Sequence, residues 1–187
     1  TFSEEEFSSS QFSPTELKEA SAYIENLRSG DNTLEKMEQY SETAEKYHFL
    51  SELKRTVCFI PLQLEDDMAV TMFITGDQSY SQFVASLPDL IEKNTEIVFI
   101  LKPHPLSKGD ISVSSENVII AGREDNIHCL IDISDATLCY NSGVGLLSIL
   151  HGKPTFTLGN AFYNLAGAGC RVGTASDAIE RIKKSRL

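Results

Sequence analysis

Leu17, Ala20, Tyr23, Ile24 and Leu27 recur at helical spacing behind a Ser13-Pro14-Thr15-Glu16 start, with Gly30 as a stop. Proline near the first turn beside an acidic residue is a helix-opening signature. A second helix is expected over 32–47, strongly charged, with a thin apolar face through Leu34, Met37, Tyr40 and Ala44. Ahead of both, residues 1–13 are mostly Ser, Glu and Phe without a period and read as extended or loosely docked. At Lys54 the texture changes. Short apolar runs over 57–62, 96–101, 117–121, 136–140 and 154–158 read as strands. Helical stretches over 79–93, 126–133, 143–152 and 176–184 fall among them, the last with Thr174 or Ser176 available as its cap.

The strands are continuously apolar rather than alternating, which indicates a parallel sheet buried on both faces. The expected fold is therefore α/β, a Rossmann-like parallel sheet with helices on both faces, preceded by a helical arm. The division falls at residues 1–53 for the extended segment and arm, and 54–187 for the Rossmann-like domain. In such sheets ligands bind beyond the carboxyl ends of the strands, so the strand-to-helix turns are where function is sought.

Composition narrows the partners. The 187 residues are 41% hydrophobic and 23% charged, ordinary for a globular chain. Lys and Arg number 16 against 27 Asp and Glu, a net charge of −11. Nucleic-acid affinity rests on neutralising phosphates with cations, so nucleic acid is not an expected partner. A small anionic ligand would need a local positive device. No apolar stretch approaches the roughly 20 residues of a membrane-spanning helix. Cys58, Cys129, Cys139 and Cys170 fit neither a zinc knuckle nor a CxxC pair and read as small core hydrophobes in a reducing compartment.

Three turns carry candidate chemistry. The first, Gln63-Leu64-Glu65-Asp66-Asp67, crowds carboxylates at the ligand edge. Close like charges raise one another's pKa, which a catalytic acid or nucleophile exploits. A hard cation would also suit carboxylates, but the spacing of a calcium loop is missing and no metal is expected. The second, Lys102-Pro103-His104-Pro105, holds one imidazole between two prolines beside a lysine, suited to a phosphate or a developing anion. The third, Asn141-Ser142-Gly143-Val144-Gly145, opens a helix, where unpaired N–H groups and the helix dipole favour an anion. No GKS or GKT follows, so an ATPase loop is excluded. Each turn alone also has a plain structural account: a solvated acidic loop, a strand-end histidine, tight helix–strand packing.

Together the turns resemble a known pattern. The Q-x-x-x-D loop ending at Asp67, K-x-H-P at 102–105, S-x-x-G from Ser142, G-K-P at 152–154 and G-x-x-F-Y at 159–163 look like the capsule polysaccharide synthesis family. That family includes retaining β-Kdo transferases that use CMP-Kdo and fold as two Rossmann-like halves, the GT-B arrangement. The likeness covers about residues 57–163, over half the chain, and implies its nucleotide-binding half. K-x-H-P occurs also in CMP-sialic-acid and CDP-glycerol transferases. By that resemblance Asp67 is the catalytic nucleophile. His104 and Pro105, with Lys102, and Ser142, Gly143 and Gly145 bind nucleotide and phosphate, and Gln63 and Asp66 support the aspartate loop. The implied enzyme is a glycosyltransferase that needs no cofactor. Its partners are a nucleotide sugar, a glycolipid or polysaccharide acceptor and capsule-assembly proteins. Its place is the cytoplasm, peripheral at the inner face of the membrane. The family's acidic-residue–Gly motif, which supplies an acid/base carboxylate, is not found in these residues, so a fragment that binds nucleotide weakly without turnover is expected. A non-catalytic nucleotide-binding or partner-binding module is the contrasting expectation.

Overall fold

The computed structural model describes residues 10–29, 36–72, 78–109, 111–164 and 167–184. The strands are β1 (Thr56–Pro61), β2 (Ile97–Lys102), β3 (Val118–Ile120), β4 (Ala136–Cys139), β5 (Thr155–Thr157) and β6 (Cys170–Arg171). They form one six-stranded sheet in the order β3-β2-β1-β4-β5-β6, and every pairing is parallel. The helices are α1 (Pro14–Ser29), α2 (Tyr40–Tyr47), α3 (Met68–Met72), α4 (Tyr80–Glu92), α5 (Ile127–Asp132), α6 (Gly143–Leu150) and α7 (Ala175–Lys184).

The continuous apolar strands bury alternate residues on opposite faces. Cys58 and Ile60 of β1, with Phe99 and Leu101 of β2, pack with Phe83, Leu87 and Ile91 of α4 and Ile179 and Ile182 of α7. Val57, Phe59, Val98 and Ile100 face the other way, onto Leu130 and Ile131 of α5 and onto Tyr47 and Leu50. Residues before the expected boundary at 54 thus contribute to this second core. From β1 the chain first builds outward through β2 and β3. It then crosses back to lay β4 on the other side of β1, where Phe59 pairs with Ile100 and with Thr137. Outside the carboxyl ends of β1 and β4 the order reverses, and a crevice opens there.

Local chemistry sets the helix starts. Ser79 and Gln82 form a reciprocal capping box on α4, Asn126 accepts the His128 and Cys129 N–H groups at the head of α5, and Thr174 accepts from Asp177 N at 3.1 Å ahead of α7. The helix expected over 32–47 is shorter. Gln39 caps α2 in an extended conformation, its N–H donating to Glu42 Oε2 at 2.9 Å, while the Glu38 N–H is spent on Glu124 O and residues 36–39 lie outside the helix. Residues 32–35, with Leu34, and Gly30 lie outside the described residues, as do residues 1–9. β6 was not anticipated: it is two residues long and carries no apolar run. Gly152 ends α6 with φ +73°, the left-handed conformation that a glycine takes without strain. Among the described residues no helix is long and apolar enough to cross a membrane.

Candidate functional site

β1 delivers Gln63 into the crevice. The Tyr80 hydroxyl grips its backbone twice, accepting from the Gln63 N–H at 2.7 Å and donating to its carbonyl at 2.8 Å. Burial pushes that phenol up to about 12, so it stays a neutral donor and acceptor. Beyond Gln63 the chain turns and Asp67 caps α3. Its carbonyl accepts from Val70 and Thr71, and its Oδ1 accepts from the Ala69 N–H at 2.9 Å. The half-buried Asp67 lines a cavity of about 270 Å³. The other two acids of this loop do not share it. Asp66 is exposed outside the cavity, and Glu65 lines an adjoining hollow with Tyr80, Val84 and Lys108. Asp66, expected to support the aspartate loop, does not reach the cavity wall, and of the three acids Asp67 is the one that lines this cavity.

β2 delivers His104. Its Nδ1 accepts the Leu106 N–H at 3.2 Å and its carbonyl accepts from Ser107 at 2.9 Å, so the loop folds back on the ring. An accepting Nδ1 leaves the neutral ring's proton on Nε2, the nitrogen that then serves as donor. Pro105 lines the same cavity. Lys102 lines it too, but is only 5% exposed, and its ammonium donates to Gly122 O at 3.2 Å and Arg123 O at 2.6 Å. It ties β2 to the turn after β3.

β4 delivers Ser142, the cap of α6. Its Oγ accepts from Val144 N at 3.2 Å, and its carbonyl accepts from Gly145 N at 2.9 Å and the Tyr163 hydroxyl at 2.8 Å. Gly143 is exposed and a Cβ there would meet nothing within 4 Å, so the helix entrance is open towards the cavity that Ser142 and Gly143 line. Gly145 belongs elsewhere. It is buried, is not part of the cavity wall, and a Cβ on it would run into the Tyr163 hydroxyl and come within 2.9 Å of Cys139 Sγ. Its phosphate-binding assignment is corrected to close packing of α6 against β4 and Tyr163.

Asp67, Gln63, Lys102, His104, Pro105, Ser142 and Gly143 thus line one cavity between β1, β2 and α6. Arg123, Asn141 and Met37 line it as well, none of them a site residue expected from the sequence. Arg123 lines the cavity while its Nε donates to Ser107 O at 3.2 Å and its Nη2 to Gly109 O at 2.8 Å, bracing the His104 loop. Asn141 joins Gln63 through its side chain, and Met37 lines the cavity from the segment before α2. Arg123 and Met37 lie outside the three turns and only the fold brings them in; Asn141 opens the third turn, where nothing local marks its bond to Gln63. Among the described residues no group of three or more His, Cys, Asp or Glu side chains is placed to hold a metal ion.

Solved structures share this architecture. A β-Kdo 2,4 transferase, KpsC of Thermosulfurimonas dismutans, is 16% identical with a TM-score of 0.64, covering 89% of this chain and 52% of its own. The β-Kdo 2,7 transferase of the same KpsC is 19% identical with a TM-score of 0.51, covering 81% and 51%. The wall teichoic acid polymerase TagF, in a structure soaked with CDPG, is 15% identical with a TM-score of 0.50, covering 79% and 39%. At such identities the likeness is one of fold. Among curated proteins, FixF of Sinorhizobium fredii is 30% identical over 109 residues, 57% of this chain and 27% of FixF. The chain therefore spans about a quarter of that relative and about half of each KpsC structure. The family model described as capsule polysaccharide biosynthesis protein matches residues 6–184, almost from end to end, and the chain belongs to that family.

Proposed function

We propose that this chain is the nucleotide-binding half of a glycosyltransferase of capsule polysaccharide synthesis, taking Kdo or a similar sugar from a CMP-activated donor. The carrying observation is that Asp67, His104 and the Ser142–Gly143 helix entrance line one cavity at the sheet's switch point. Similarity to two β-Kdo transferases supports the donor class. His104, offering Nε2–H, and the backbone amides that open α6 receive the nucleotide phosphate, which gains charge as the bond to the anomeric carbon breaks and its electron pair goes to phosphate oxygen. The Asp67 carboxylate bonds to the oxocarbenium-like carbon from the opposite face, giving a glycosyl ester. An acceptor hydroxyl then displaces the aspartate, losing its proton to a carboxylate outside these residues, and two inversions give net retention. An imidazole and a helix terminus answer the phosphate charge, so the proposal assigns no metal and no cofactor. The acceptor is a glycolipid or polysaccharide, the partners are capsule-assembly proteins, and the setting is the cytoplasmic face of the membrane.

In the full-length protein, Asp67→Asn is expected to lower transfer by at least about a thousandfold while CMP binding stays within about twofold, and Asp66→Asn to leave both near wild type. Retained transfer by Asp67→Asn rejects the nucleophile. His104→Ala is expected to weaken CMP binding in calorimetry, and unaltered affinity removes His104 from the phosphate site. A panel of CMP-Kdo, CMP-sialic acid and CDP-glycerol separates the donors. Nucleotide binding without transfer from any of them favours a non-catalytic module.

A further inference from the structure

The side chain of Asn141 joins the two elements that bear the proposed nucleophile and the proposed phosphate cradle. Its backbone N–H donates to Gln63 Oε1 at 3.2 Å and its Oδ1 accepts from Gln63 Nε2 at 3.0 Å. Its Nδ2 donates to the Ala69 carbonyl at 2.7 Å. These bonds fix both amide orientations, because a backbone carbonyl only accepts and a backbone N–H only donates. Both residues are buried, at 8% and 9% exposure, where an amide bond is short of competing water. Ala69 is consequently held at both ends: Asp67 Oδ1 takes its N–H and Asn141 takes its carbonyl. Asn141 also immediately precedes Ser142, the cap of α6.

Helix α3 needs such an anchor. It is five residues long, Val70 is its one buried side chain, and Met68 and Met72 are 71% and 73% exposed. A helix so short does not hold itself in water, so tertiary bonds set its position. We propose that Asn141 is a positioning residue for sugar transfer, fixing the Asp67 segment against the Ser142 cap. The carboxylate then meets the anomeric carbon while the phosphate rests at the entrance of α6. This rests on the function proposed above for the cavity. Removing the anchor leaves the phosphate cradle in place and lets the nucleophile wander, which costs turnover more than binding.

The test compares wild type with Asn141→Ala and Asn141→Asp in the full-length protein. The aspartate is isosteric and still accepts from Gln63, but it sets an oxygen against the Ala69 carbonyl. Amide hydrogen exchange over 67–72 is expected to quicken at least about tenfold in both variants, with β1, β2 and β4 unchanged. The kcat for CMP-sugar transfer is expected to fall about 10- to 100-fold while KM stays within about threefold. Unchanged exchange over 67–72 overturns the proposal whatever the activity does. So does an unchanged kcat in a transferring enzyme, and so does faster exchange through the whole sheet, which marks a general structural role. If the wild type transfers from no cytidine-activated donor, the transferase reading falls, and exchange alone decides whether Asn141 holds the Asp67 segment.

Discussion

The Tyr163 hydroxyl donates to the carbonyl of Ser142 at 2.8 Å, from the space that a side chain at residue 145 would need. One glycine thus lets a buried tyrosine brace the cap of α6 from below. Burial holds that phenol well above its ordinary range, so it stays neutral, donating its one proton to Ser142 and facing Cys139 Sγ at 3.6 Å as an acceptor.

Gly145→Ala should therefore cost about 1–3 kcal/mol in urea unfolding, the range for overpacking a closed site. Gly143→Ala, whose Cβ would meet no protein atom, should change stability by no more than about 0.5 kcal/mol, the usual range for an exposed site away from special features. It should still weaken nucleotide binding, because the methyl would occupy the helix entrance. Equal stability losses for the two variants would contradict these separate assignments of the two glycines.

This pair shows how far the sequence could be read. Gly-x-Gly before an apolar helix says that backbone comes close to something at each position, and it cannot say whether that is ligand or protein. The periodicities located the first five strands and the sheet type because burial on both faces leaves no polar alternation. They missed β6, which is too short to carry a period, and overran the start of α2, where the Gln39–Glu42 capping box intervenes. Asp67 was legible through its motif. Arg123 was not, and Asn141 only as a member of the third turn: an amide bonded to residues 78 and 72 positions away in the chain has no local signature.

Asp125 makes a second prediction, about pH. Its side chain is 3% exposed and accepts from the Tyr47 hydroxyl, from Lys46 Nζ at 2.9 Å and from the Gly122 N–H at 2.7 Å. Burial alone would raise its pKa, but these donors outweigh it and leave the carboxyl below its ordinary value. A folded-state pKa below the unfolded value of about 3.9 contributes stability that is present above that pH and lost as pH falls through the folded value. Asp125→Ala should lower stability by about 3 kcal/mol at neutral pH, since it strands the phenol and the amide in the interior. Its stability should also fall less steeply than that of wild type below about pH 4. Parallel acid limbs in denaturant titrations would assign the acid sensitivity to other carboxylates.

Lys102 separates two uses of a buried cation. The sequence pairs it with His104 as a phosphate ligand, whereas its ammonium donates to the carbonyls of Gly122 and Arg123. Those bonds hold the turn from which Arg123 reaches Ser107 and Gly109 behind the His104 loop. Lys102→Met keeps the apolar stem and removes the donors, so two partly buried carbonyls lose a partner, at a cost of about 1 kcal/mol. The expected signature is a lower unfolding midpoint with faster amide exchange over 104–109 and 122–125. CMP affinity should drop modestly and keep its dependence on salt, because no phosphate contact has gone. A lysine that touched phosphate directly would give the reverse, with stability near wild type, a large loss of affinity and a shallower salt dependence, since each released counterion contributes to that slope.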